Sequence, residues 1–450
     1  NLSELLPSGG GQNQVEFVAS GTLPNGKPVV LKANGTVEVV GLSSTSVSQS
    51  IPAGSEVVFN AGTVYYNSTA SDPNTSGRFV IAYWDAGQNN YGKAIVGTVS
   101  GTSISFGTEV TFNSGNTTFV AIAFDPDSAD KFVIMYSNGA GANTGKAIVG
   151  TVSGTSMSFG TAVTFNSAET TFVSIAIDSQ NKYVLCYRDY GVSQYGRAVV
   201  GTVSGTSISF GSAVSFTSST VSYTSVICDP NTANKFVVCY RELGSSNGNH
   251  GVAIVGTISG TSISFGTAAT FNASASGHIF AGFDPNTAGK FVVAYSDGGN
   301  SSYGTSSVGT VSGTSISYGS KVIFNSGVTN WVALALDPNT ANKFVVTYSD
   351  NGNSNYGAAI VGSISGTSTS FGSEYVYNAG YTVQQSVAFN PHLSGAGNFL
   401  ISFRDSANSS YGTAILGQIA ATVTATNLTA TNLIGIAAAA ASSGATAKIN

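Results

Sequence analysis

One glycine recurs along this chain at a nearly fixed interval. It follows an apolar run such as AIV and stands at Gly97, Gly150, Gly201, Gly256, Gly309, Gly362 and Gly417, with spacings of 53, 51, 55, 53, 53 and 55 residues. A period this regular excludes a string of unrelated domains, and it is too long for a helical or leucine-rich solenoid. In the clean copy at 329–380 the unit reads as four short strands: WVALALD, the turn DPNTAN, KFVVTYSD, the loop NGNSNYG, AAIVGSISG, a tight GTS turn, and SEYVYN. Apolar, β-branched and aromatic runs of this length, punctuated by Gly, Asn and Asp-Pro, signal strands rather than helices. One small antiparallel sheet per period of about fifty residues is the sequence form of a β-propeller blade.

The ends of the array fix how such a ring would close. The last copy has its first three strands, VQQSVAF (383–389), NFLISFRD (398–405) and GTAILGQI (412–419), but no fourth. That strand stands at the opposite end of the array, where SEVVFNAG (55–62) matches SEYVYNAG (373–380). The expectation is an all-β, seven-bladed β-propeller of four-stranded blades over 51–420, in which an N-terminal strand at 55–60 completes the C-terminal blade. Closure of this kind leaves no unpaired sheet edge.

A residue census supports this class. The chain carries 55 glycines among 450 residues and only 8% charged residues, against about 25% in an average soluble domain. The formal net charge of −5 gives no basic surface, so no nucleic-acid partner is expected. The three cysteines, Cys186, Cys228 and Cys239, fit neither zinc nor CxxC spacing and read as small buried hydrophobes. No apolar run approaches the length of a membrane span, so no membrane insertion is expected. His250, His278 and His392 are scattered, so no metal and no cofactor is expected.

Two flanks differ from the array. Residues 1–50 read as a small β appendage, with VEFVAS, KPVVLKA and TVEVVGL separated by the turn signals LPNG and ANG. Residues 421–450 read as extended chain through two near-copies of TATNL, then an Ala run that suits two helical turns, as an attachment or oligomerisation segment.

Within the repeat, Asp closes the first strand at Asp72, Asp125, Asp178, Asp229, Asp284 and Asp337, with Asn390 in the seventh copy. A turn-initiating role outweighs a metal or catalytic one, because Asp bonds its own backbone two residues on. The loop between second and third strands varies most, whereas the SGTS turn after the third strand is almost constant. Variable loops on a rigid scaffold are where binding resides. The candidate ligand-binding face therefore carries Trp84, Asp85, Tyr91, Arg188, Asp189, Arg241, Glu242, Asp297, Tyr303, Asp350, Tyr356 and Arg404. No catalytic residue is expected.

SDNGNSNY (349–356) resembles the Asp-box of sialidase-type propellers, but here Ser and Asp are adjacent and the motif bridges a different pair of strands. Both flanks, FVASGTLPNGKPVVLKANGTVEVVG (17–41) and NLTATNLIGIAAAAASSGATAKIN (427–450), resemble segments of virion proteins of tailed bacteriophages, especially marine ones, where they bracket β modules of tail fibres. The GTVSGTSISFG refrain is similar to propeller-like arrays in the same proteins. This resemblance implies a non-enzymatic structural protein on the virion surface, with other virion proteins as partners, homo-oligomerisation, and a host cell-surface glycan or receptor as ligand of the loop face. The alternative is a secreted or cell-surface bacterial lectin or adhesin with the same ring. A glycan-degrading enzyme is less favoured, since no carboxylate constellation is evident, and a spacer without ligand is the bland reading.

Overall fold

The computed structural model describes residues 15–25, 28–32, 34–39, 42–44, 54–128, 130–244, 248–393, 397–419, 424–426, 433–436 and 446–449. It divides into two units, 1–48 with 420–450, and 49–419. The larger unit is all-β, its strands forming one antiparallel sheet sequence of 28 strands. Short 3-10 turns at Tyr190–Val192, Gly298–Asn300 and Asn351–Asn353 interrupt it.

Six repeats contribute a second strand (Arg78–Asp85 in the first copy), a ten-residue third strand (Tyr91–Ser100) and a short fourth (Ser103–Phe106), while the seventh gives a second strand (Asn398–Asp405) and an eight-residue third (Tyr411–Gln418). The expected tight turn into SEYVYN is thus replaced: the SGT turn leads into SISF, a strand of its own that pairs back on the third. The stretch read as the last strand runs without a break into the first strand of the next copy, except at Val110–Asn113 and Thr117–Phe124, which stay separate. The result is one fifteen-residue strand, as in Val163–Ile177, Val214–Cys228 and Tyr375–Phe389. Its first half pairs with the preceding repeat and its second half with the following one.

Two glycine series are set by aromatic rings. A Cβ on Gly256 would come within 2.0 Å of the Phe236 ring, and one on Gly362 within 2.1 Å of the Phe344 ring. In five copies the periodic glycine is therefore the seat on which the second-strand Phe lies, while Gly97 and Gly201 face Phe106 and Ile208 of the short strand that follows. The glycine of the Tyr-Gly pair plays the same part for an aromatic of the fifteen-residue strand, a Cβ on Gly196 coming within 2.2 Å of the Phe216 ring. Buried tyrosines of the second strands, among them Tyr83, Tyr187, Tyr240 and Tyr348, complete the layer.

The Asp turns behave as the sequence suggests. Asp72 is fully buried and accepts from the Asn74 N–H at 2.8 Å, as Asp229 does from Asn231 at 2.9 Å. Cys186 and Cys239 are buried, Cys228 is half-buried, and all three are free, with burial raising their thiols.

The strand Val57–Ser71 pairs with Tyr411–Gln418 in the register Tyr411–Thr63, Gly412–Asn60, Thr413–Val58 and Ala414–Val57. Bonds joining internal neighbours recur between the seventh and first copies. The Thr69 N–H donates to Ser386 Oγ at 2.9 Å, as the Val226 N–H does to Ser174 Oγ at 2.9 Å. The Asn390 amide donates to the Thr75 carbonyl at 3.0 Å.

In the smaller unit, Val15–Val18 pairs with Thr446–Ile449, Pro28–Leu31 with both Val37–Val39 and Leu433–Ile436, and Leu42–Ser44 with Thr424–Thr426. The two flanks, read separately from sequence, are strand partners of one another. A small core of Ala19, Leu23, Val29 and Val37 is buried there. The Ala run at 437–441 lies outside the described residues.

Candidate functional site

The first half of each repeat's sheet contains one irregularity, repeated seven times. Between Tyr65–Trp84 and Ser68–Ala82 the register shifts, so that Tyr66 and Asn67 together oppose Tyr83. This is a β-bulge, two residues against one, a device that re-aims a side chain. The first bulge residue has a left-handed backbone in every copy: Tyr66 (φ 47), Phe119 (49), Phe172 (50), Tyr223 (51), His278 (50), Trp331 (51) and Gln384 (55). None is a glycine, and for bulky residues this region costs about 1–2 kcal/mol each. Strain of this kind persists where the surroundings impose it, and it clusters at functional sites.

The bulges turn these seven side chains towards a common cavity of about 220 Å³, lined by residues of all seven repeats. The rings form a collar: Tyr66–Phe119 centroids lie 4.7 Å apart, Phe119–Phe172 5.5 Å, Phe172–Tyr223 5.5 Å, Tyr223–His278 5.1 Å and His278–Trp331 5.1 Å. The arc between Trp331 and Tyr66 carries amides instead, Gln384, Gln385 and Asn67. Both polar atoms of Asn67 and the Oε1 of Gln384 are buried without a hydrogen-bond partner. Burial, reinforced by the nearby Arg241 charge, pushes His278 down to about 4, so its ring is neutral at pH 7.

Below the collar the wall is formed by the next inward residue of each copy. Here Ser68, Ala121, Ser174, Ser225, Ala333 and Ser386 are small, and Phe280 alone is large. Phe280 is 39% exposed and lines both the collar cavity and the space beneath it. A further cavity is walled by Pro73, Pro285, Pro338 and Pro391 of the Asp-Pro turns.

The residues singled out from sequence separate into two groups. Trp84 stacks on Tyr66 at 5.9 Å and 12°, its indole N–H donating to Asn90 Oδ1 at 3.1 Å. Arg188 lies 4.6 Å over the Phe172 ring, Arg241 4.9 Å over Tyr223, and Arg404 4.4 Å over Tyr65. The contacts of Arg188 and Arg241 are cation–π contacts to collar rings, whereas Tyr65 beneath Arg404 lies beside the collar residue Tyr66. Among the described residues none of these three arginines is in an ion pair.

The carboxylates are not brought to the cavity. Asp85, Asp189, Asp297 and Asp350 are buried and hold the loop that follows them. Asp189 accepts from the Gly191 N–H at 2.9 Å and from Asn166 Nδ2 at 3.1 Å, and Asp350 from the Gly352 N–H at 3.0 Å and Asn325 Nδ2 at 3.1 Å. Asp85 and Asp297 also pair with Lys93 (3.1 Å) and Lys321 (3.2 Å). Glu242 accepts from Thr217 Oγ1 at 3.0 Å. Tyr91, Tyr303 and Tyr356 are half-buried and stand opposite Asp85, Asp297 and Asp350 in the strand pairing.

The collar itself was not singled out from sequence, where its members read as ordinary strand positions. The available signal was alignment of the seven copies, which puts Tyr, Phe, Phe, Tyr, His, Trp and Gln in one column. Among the described residues no cluster of three or more His, Cys, Asp or Glu could hold a metal ion, and no helix is long and apolar enough to cross a membrane.

No family model and no curated protein matches the chain. Solved structures do. The BP39L lectin from Burkholderia pseudomallei superposes with a TM-score of 0.60 at 8% identity, covering 84% of this chain and 100% of that one. Sqt1 from Chaetomium thermophilum gives 0.49 at 12% identity, over 88% and 90% of the two chains. AofleA from Arthrobotrys oligospora gives 0.46 at 9%, over 79% and 98%. At these identities the likeness is one of fold alone, and it is the BP39L superposition that carries it.

Proposed function

We propose that residues 54–419 form a closed seven-bladed β-propeller that binds carbohydrate through the collar at one mouth of its central channel, as a non-enzymatic lectin or adhesin. The observation that carries this reading is the collar: six aromatic rings and an amide arc, held by a strained bulge in every repeat around one cavity. Aromatic faces stack on the C–H faces of sugars, while amides satisfy hydroxyls. The fold likeness to a lectin supports the same class. The pairing of Tyr411–Gln418 with Val57–Ser71 supports ring closure.

A glycan array probed with the purified chain, beside Trp331→Ala, tests this. Selective binding lost in the variant is the expected result. No binding by a folded chain overturns it and leaves the spacer reading. The phage resemblance of the flanks bears on where such a ring is carried, not on what its mouth does. Mass spectrometry of purified particles and surface labelling of intact bacteria separate a virion appendage from a cell-surface lectin.

A further inference from the structure

Six of the seven copies put Ser or Ala directly below the collar, and the fifth puts Phe280 there. That ring reaches into the cavity from one side and is exposed to it, so the mouth has a partial apolar floor. The cavity of about 220 Å³ is smaller than the ~300–1,000 Å³ of pockets that enclose drug-sized ligands. Its lining contains no Asp, Glu, Lys or Arg. Opposite Trp331 in copy order lie Phe119 and Phe172, and opposite His278 lie Tyr66 and Phe119; between the two ends of the aromatic arc stand Asn67 and Gln384, each 8% exposed, with three polar atoms unpartnered. Buried amides left without partners are costly, and rotation of these side chains towards the cavity would present them to the hydroxyls of a ligand.

Resting on the carbohydrate reading, we infer that the mouth is one site per chain that takes a single uncharged terminal sugar end-on, its apolar face on Phe280 and Trp331 and its hydroxyls on Asn67 and Gln384. Sevenfold repetition thus does not give seven sites. The copies have diverged at the collar column and below it, and the ligand reads that asymmetry once. An acidic sugar is disfavoured because its carboxylate would lose water without meeting a cation in the lining itself; the nearest arginines, Arg188 and Arg241, are held over the Phe172 and Tyr223 rings and donate to Thr171 and Ser222. Internal sugars of a chain are disfavoured because Phe280 narrows the space below the mouth.

The probes are methyl glycosides of glucose, galactose, mannose, fucose and N-acetylglucosamine, with glucuronate and galacturonate as charged counterparts. They are titrated calorimetrically into the full chain. The expected result is a stoichiometry near one, at least tenfold weaker binding of the uronates, and loss of binding in Asn67→Ala. Phe280→Ser, which gives the fifth copy the residue found in four others, is expected to weaken binding tenfold or more while leaving circular dichroism and melting intact. A stoichiometry near seven, preference for uronates, or undiminished binding by a folded Phe280→Ser overturns the inference while the carbohydrate reading stands. Array binding that persists in Trp331→Ala moves the site away from the mouth and overturns the inference. Failure of every neutral and acidic sugar, on the array as well, overturns both.

Discussion

Replacing Phe59 by Ala measures whether the array is a ring. Phe59 lies in the strand that precedes the first complete copy, yet it is buried to 6% exposure. Its ring is 5.2 Å from Tyr83 and 5.9 Å from Phe106, and it lies on Gly412 of the last copy, 2.4 Å from where a Cβ would stand. Phe216 occupies the equivalent interior position, also 6% exposed, 5.0 Å from Tyr240 and seated on Gly196. Truncating a buried Phe costs about 3–5 kcal/mol through lost transfer energy and the cavity left behind. If 57–63 is packed into the seventh sheet in solution, Phe59→Ala and Phe216→Ala cost the same within about 1 kcal/mol, a margin set by how far each site relaxes. Guanidinium unfolding followed by fluorescence gives the totals, and hydrogen exchange locates the damage. In Phe59→Ala, faster exchange is expected at 411–414, the residues paired with 57–63. A cost below about 1 kcal/mol for Phe59→Ala beside a full cost for Phe216→Ala would refute closure, whatever the pairing in the structure.

Two further outcomes follow from the same packing. Gly256→Ala places a methyl 2.0 Å from the Phe236 ring and is expected to cost at least ~1–3 kcal/mol by overpacking; Phe236→Leu in the same chain should recover part of that loss, and strictly additive costs in thermal melts would show that the ring is not what excludes the side chain. His278 is expected to make the chain acid-sensitive. Its pKa falls from 6.5 to about 4 in the fold, so the unfolded chain takes a proton below 6.5 that the folded chain refuses until about 4, and stability drops as pH falls through that window. For a half-buried ring this amounts to about 1–3 kcal/mol, and His278→Phe should remove that part of the slope in melts between pH 4 and 7.

What was legible in the sequence was whatever repeats through local chemistry. The periodic glycine marks where a Phe ring must lie, and Asp before Pro-Asn marks a turn closed by its own side chain. The unmatched SEVVFN strand pointed to its pairing with the last copy because an orphan strand needs a partner. The collar was not legible, because a bulge is a relation between two strands. Phe119, Phe172, Tyr223 and Trp331 fit an alternating strand pattern, and only the two-against-one pairing with Tyr136, Tyr187, Tyr240 and Tyr348 turns them into the cavity. The carboxylates of Asp85, Asp189, Asp297 and Asp350 looked like loop-face groups because polar residues beside a loop normally meet water. Here they close the loop from within. The pairing of 15–18 with 446–449 spans nearly the whole chain and leaves no local trace.

The pairing of Tyr411–Gln418 with Val57–Ser71 also has a mechanical side. Val57 lies opposite Ala414 and Thr63 opposite Tyr411, so the chain enters and leaves the large unit at the same end of this antiparallel pair. Tension between residues 54 and 419 would open the seam rung by rung, like a zipper, rather than shear all its bonds together. The flanking strands pair with each other, 42–44 with 424–426, 28–31 with 433–436 and 15–18 with 446–449. Under load from the outer ends these three clasps part before the zipper is pulled. A chain anchored at both ends therefore carries force in its flanks and leaves the large unit slack.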